Sequence, residues 1–169
     1  MTLGEKKKAK SYILNSRSLA EAGRYPELVA YARLSYGHWH RVQKNYEEAL
    51  HEYDAALVEA RRIGVRRMES EALSELSRLA CDLGDAQIAR QRAIEALRIA
   101  NESALGLRQT HGLIVLGRAT ILAGERKLGI SYLKHAKKLA NRQEYWLRAS
   151  EAEEQLQRLG EAADNTHSV

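Results

Sequence analysis

Ala20, Ala60, Ala100 and Ala140 follow one another at forty-residue steps without a break. A period of that length marks chains that stack one supersecondary unit on the next, each burying its apolar face against its neighbours rather than in one central core. Three more series keep the same step. Ala9, Ala49, Ala89 and Gly129 are small, whereas Tyr36, Leu76, Leu116 and Leu156 are large and packable. Gly4, Gly84 and Gly124 are followed by Glu5, Asp85 and Glu125, with Lys44-Asn45 taking that place in the remaining copy.

The physical content of these series is helical. A left-handed glycine stops one helix, the carboxylate after it sits in the first turn of the next, and the small residues let the two helices lie close. Between the stops, apolar residues keep helical spacing, as in Leu73, Leu76, Leu79, Ala80 and Leu83, or Ile88, Ala89, Ala93, Ala96, Leu97 and Ala100. The 169 residues contain a single proline, Pro26, placed where a first helical turn tolerates it. The sequence therefore predicts an all-α chain of about eight antiparallel helices, near 5–22, 25–43, 46–63, 66–83, 85–102, 105–122, 125–141 and 143–160. Residues 1–160 form one domain of three helix pairs, near 25–63, 66–102 and 105–141, with a single helix at either end. Residues 161–169 lack apolar anchors and are expected to be a disordered tail.

Charge and motifs narrow the function. The net charge is +5, but 27 basic and 22 acidic residues are interleaved along the chain, which does not favour a nucleic-acid partner. The basic run Lys6, Lys7, Lys8 and Lys10 reads as a solvated helix face. One cysteine, Cys81, precludes an internal disulfide and fits a reducing compartment, and no apolar stretch approaches the ~20 residues of a membrane span, so a cytoplasmic location is expected. His38 and His40 point to different sides of one helix and cannot chelate one ion, so no metal is expected. Cys81 has no CxxC partner, and no phosphate-binding loop, HExxH or GxSxG pattern occurs. No enzyme activity and no cofactor are expected.

The best copy of the repeat is Leu34-Ser35-Tyr36-Gly37 followed by Asn45-Tyr46-Glu47-Glu48-Ala49-Leu50, Tyr53, Ala56 and Leu57. Ser77, Ala89, Ala93 and Ala96 echo it in the second copy, and Gly117, Gly129, Leu133 and Ala136 in the third. This pattern resembles tetratricopeptide repeats, in a variant of forty residues rather than the usual ~34 and without the proline that commonly follows the second helix. The resemblance covers almost the whole chain. It implies a right-handed α-α superhelix whose first helices line a concave groove for a peptide or helix of a partner protein.

In that frame His38, Arg78, Arg118 and Arg158 share one phase, Leu34, Ser74, Ile114 and Glu154 a second, and Tyr31, Glu71, His111 and Glu151 a third. Arg41, Cys81, Asp82, Ile121 and Leu122 complete the groove. The expected binding residues are Tyr31, Leu34, His38, Arg41, Ser74, Arg78, His111, Ile114, Arg118, Ile121 and Arg158. Guanidinium groups on successive helices can fork to carboxylates or carbonyls; the competing reading is a solvated arginine face paired with Glu71, Glu75 and Glu154. Ile114 is open between core and an apolar anchor pocket. The Lys/Asn carboxylate clamp of some family members is absent, since the corresponding pairs are Leu34 with His38, Ser74 with Arg78 and Ile114 with Arg118. Two alternatives stand beside a groove binder. One is a regulatory arm of a larger signalling or transcription protein; the other is self-association through uncapped ends, involving the helix near 5–22 and Tyr145, Trp146 and Leu156.

Overall fold

Seven three-residue connectors cut the chain at an interval of twenty residues, half the period of the sequence. The structure, a computed structural model, describes residues 3–166, with side chains described from 7 to 160. The helices are α1 (Leu3–Ala22), α2 (Pro26–Val42), α3 (Tyr46–Arg62), α4 (Arg66–Asp82), α5 (Ala86–Glu102), α6 (Gly106–Leu122), α7 (Arg126–Arg142) and α8 (Trp146–Thr166). No strand interrupts them among the described residues.

Every connector is built alike. Its middle residue has positive φ: Arg24, Lys44, Gly64, Gly84, Ala104, Gly124 and Glu144. Its last N–H reaches back five residues, from Tyr25 to the Ala20 carbonyl, from Val65 to Ala60, from Leu105 to Ala100 and from Tyr145 to Ala140, at 2.9–3.0 Å. The same bond runs from Asn45 to His40, Asp85 to Ala80 and Glu125 to Thr120. This is the Schellman closure, and the alanine series marks its acceptor. The connector before α8 has the same three-residue form as the others, so the helix begins at Trp146 rather than near 143. At its far end α8 is helical through Thr166, six residues into the segment expected to be disordered; the last three residues lie outside the described ones.

The small residues sit where helices cross. A Cβ on Gly37 would lie 2.6 Å from the Tyr53 ring, and one on Gly129 would lie 2.4 Å from Ile121 Cγ1 and 2.7 Å from the Gly117 carbonyl. In the middle copy Ser77 fills this place, its hydroxyl donating to the Ala89 carbonyl at 2.8 Å. Around these crossings Tyr53, Met68, Leu73, Leu79 and Ile99 form one buried cluster, and Leu113, Ile114, Leu133, Ala136 and Ala152 another. At the same phase α8 carries Gln157, which is exposed, and its neighbours Glu153 and Glu154 replace the buried Leu113 and Ile114 of α6.

Each helix packs on the next, and the backbones of α2, α4, α6 and α8 also come together in succession, whereas the odd-numbered helices stand further apart and are bridged by long side chains, Arg17 of α1 to Glu52 of α3 at 3.3 Å and Arg61 of α3 to Glu95 of α5 at 2.7 Å. The even row is therefore the inner side of a curved solenoid and the odd row its outer side. This is an all-α helical-repeat fold.

Candidate functional site

The inner row gathers side chains that recur at forty-residue phase onto one surface, because helices in register present equivalent positions alike. Three hollows follow one another along it. The first, of 350 Å³, is lined by Ile13, Tyr31, Leu34, Ser35, His38, Glu71 and Glu75. The second, of 460 Å³, brings together Arg41, Arg78, Arg118, Arg148 and Arg158 with Glu151 and Glu154, so its lining is cationic by three charges. The third, of 240 Å³, shares Arg118 and Arg158 with the second and adds Cys81, Ile121, Leu122 and Leu159.

Carboxylates hold the arginines in place. Asp82 is shared from two sides, by Arg41 at 2.6 Å and Arg118 at 3.4 Å. Arg78 reaches Glu75 on its own helix at 3.6 Å and Glu151 of α8 at 3.3 Å, and Arg148 meets the same Glu151 at 2.5 Å. Arg108 closes on Glu71 at 3.0 Å. Beneath them the Tyr53 hydroxyl donates to Glu75 at 3.4 Å, and burial together with that carboxylate raises the phenol far above its ordinary range. Arg158 is exposed and makes no ion pair among the described residues, so its guanidinium has the most freedom to meet a ligand.

His111 lies under this network, 1% exposed. Burial first, then the charges of Arg148, Arg78 and Arg108, hold its imidazole well below the usual histidine value. It is therefore neutral, and its Nε2 accepts from Arg78 Nη1 at 3.3 Å. At the other end of the groove His38 is also lowered, mainly by desolvation.

Of the eleven residues expected from sequence, Tyr31, Leu34 and His38 line the first hollow, Arg41, Arg78, Arg118 and Arg158 the second, and Ile121 the third. Three do not reach the surface. Ser74 is fully buried and donates to the Ser70 carbonyl at 2.9 Å. Ile114 is core, and His111 is floor. The cause is curvature: each interior even helix is flanked by even helices on both sides, which close over His111, and at the phase of Ser74 and Ile114 even Leu34 of α2 is only 6% exposed. Tyr31, on the first of them, stays 54% exposed at the phase where His111 is buried. Arg108 and Arg148 are additions, and their signal was available, since arginine recurs at that phase in the last two copies.

His40 is not a groove residue. Its ring stands edge-on to Tyr36 and Trp39, on the side of α2 where Lys10 of α1 lies 5.3 Å above the Trp39 ring. No group of residues with metal-holding geometry occurs, and no helix is long and apolar enough to cross a membrane, among the described residues. No protein-family model matches the chain, and no curated protein matches its sequence.

Proposed function

We propose that this chain is a non-enzymatic protein-interaction module that holds an extended or helical segment of a partner in the concave groove, as its resemblance to tetratricopeptide repeats implies. The observation that carries the reading is the continuity of the three hollows along the inner row. A cationic middle is flanked by apolar contacts, Tyr31 at one end and Leu122, 42% exposed, beside Ile121 at the other. Buried apolar anchors supply affinity at such sites, and charge supplies register. A segment carrying an acidic residue between two apolar ones fits that order.

Self-association through the ends is a weaker reading at α8. Leu156 is packed against the core, and Gln157, Glu153 and Glu154 stand where a docking helix would need small or apolar residues. At the other end Tyr12 and Leu19 are exposed on α1.

Panning a random peptide library on the purified chain tests the groove. The comparison is Arg118→Glu/Arg158→Glu, which removes the two least tethered arginines and leaves Arg78 and its bridge to α8 intact. Enrichment of acidic-apolar peptides on the parent, lost on the variant at unchanged helicity, is the expected result. Equal enrichment on both, or none on either, would sink the groove as the binding surface.

A further inference from the structure

From α3 to α7 the outer row, which begins with a basic α1, carries a charge gradient that the average composition hides. In α3, Glu47, Glu48, Glu52, Asp54 and Glu59 outnumber Arg61 and Arg62. In α5, Arg90, Arg92 and Arg98 face Glu95 and Glu102. In α7 six lysines and arginines stand with no aspartate or glutamate at all, more than the chain's whole net charge of +5. Two of the six are tied down: Lys137 pairs with Glu153, and Arg126 donates to the Leu159 carbonyl. The other four, Lys127, Lys134, Lys138 and Arg142, are exposed and make no ion pair among the described residues.

Those four fall on one stripe. Steps of seven, four and four residues return to nearly the same face of a helix, so the cations form a line about 22 Å long on the side away from the core. Ser131 and Asn141 lie between them, and a hollow of 690 Å³ at the seam with α8 is bordered by Lys134, Lys138, Asn141 and Arg142 on the α7 side and by the Lys137–Glu153 pair and Leu156 at the seam. Ammonium, guanidinium and amide donors in a row suit phosphate oxygens, and the Ser131 hydroxyl between them donates to the Leu128 carbonyl of its own helix at 2.7 Å.

We infer that the outer face of α7 binds the phosphate backbone of duplex DNA without reading its sequence. A membrane surface would call for apolar side chains within the stripe, and a protein partner for an apolar anchor there; the intervening positions are polar. Single strands are held chiefly by stacking on aromatic platforms, and the stripe has none. A linear array of unpaired cations matches a linear array of phosphates. This surface lies on the opposite row from the groove and does not depend on it.

The test is fluorescence anisotropy of a labelled random-sequence duplex, titrated with the full chain across about 50–200 mM salt, where phosphate contacts dominate the response. Four contacts predict a slope of about −3.6 for log affinity against log salt, and Lys134→Gln/Lys138→Gln should lower its magnitude by about 1.8 while weakening binding to every sequence alike. The groove variant Arg118→Glu/Arg158→Glu should bind as the parent does, which separates this site from the peptide groove. Absence of binding at the low-salt end overturns the inference, as does an unchanged slope in the α7 variant. Tighter binding to polyglutamate or to anionic lipid vesicles than to the duplex would overturn it as well.

Discussion

Ala104 holds a φ of +51°, a conformation that a Cβ penalises by about 1–2 kcal/mol, yet it occupies the same turn as Gly64, Gly84 and Gly124. The return bond to the carbonyl five residues back and the helices on either side over-determine the turn, so Arg24, Lys44 and Glu144 accept it too. Glycine followed by a carboxylate marked the stops at Gly84 and Gly124, Lys44-Asn45 marked another by its place in the repeat, and the spacing of apolar residues placed the remaining breaks. Relieving the strain outweighs the entropy that glycine adds to the unfolded chain, so Ala104→Gly should stabilise the protein by about 0.5–1 kcal/mol, seen as a melting temperature higher by about 1–4 °C. The opposite sign is expected at Gly129. Helix propensity favours alanine there by about 1 kcal/mol, but the new methyl would press on the Gly117 backbone and on Ile121, and neither can retreat from a helix crossing. Gly129→Ala should cost about 1–3 kcal/mol in urea unfolding, and a neutral result would mean that the crossing is looser than described.

Three elements meet above His111: α4 through Arg78, α8 through Glu151 and Arg148, and α6 through the histidine itself. Sequence phase placed His111 with Tyr31, Glu71 and Glu151, and that equivalence is real along the helices. What phase does not carry is how far neighbouring helices lean together, and that decides which members of a series see solvent. Ser74 and Ile114 left the expected surface for the same reason, whereas the arginines remained because their long side chains reach past the crossing. The buried imidazole also gives the element a pH dependence. Its folded pKa lies well below the ordinary 6.5, so the unfolded chain binds the proton more readily. The stability it contributes is complete above the unfolded value and declines as pH falls below it. Urea midpoints should therefore drop between about pH 7.5 and pH 5.5. His111→Gln should flatten part of that slope, while His38 and His40, lowered in the same direction, keep the remainder.

At the scale of the molecule, stability is shared between neighbours and has no single centre. The helix period, the number of helices and their order were legible because each series repeats a packing requirement. The division into inner and outer rows was available only through the resemblance, and the basic stripe of α7 was hidden by averaging charge over the whole chain. Helices enclosed on both sides should open last. Amide hydrogen exchange should be slowest in α4 to α6 and fastest in α1, whose backbone packs on α2 alone and which reaches α3 through the Arg17–Glu52 pair. Equal protection throughout would mean that the solenoid unfolds as one block. The seven connectors have a further consequence for how such a chain can change length. Each is the same three residues long and separates helices that, from α2 to α7, are all seventeen residues long. Any forty consecutive residues therefore begin and end at matching points of the turn, and a tandem copy spliced in at that phase brings junctions identical to those already present. The groove can be extended by duplication alone, with no new joint to invent.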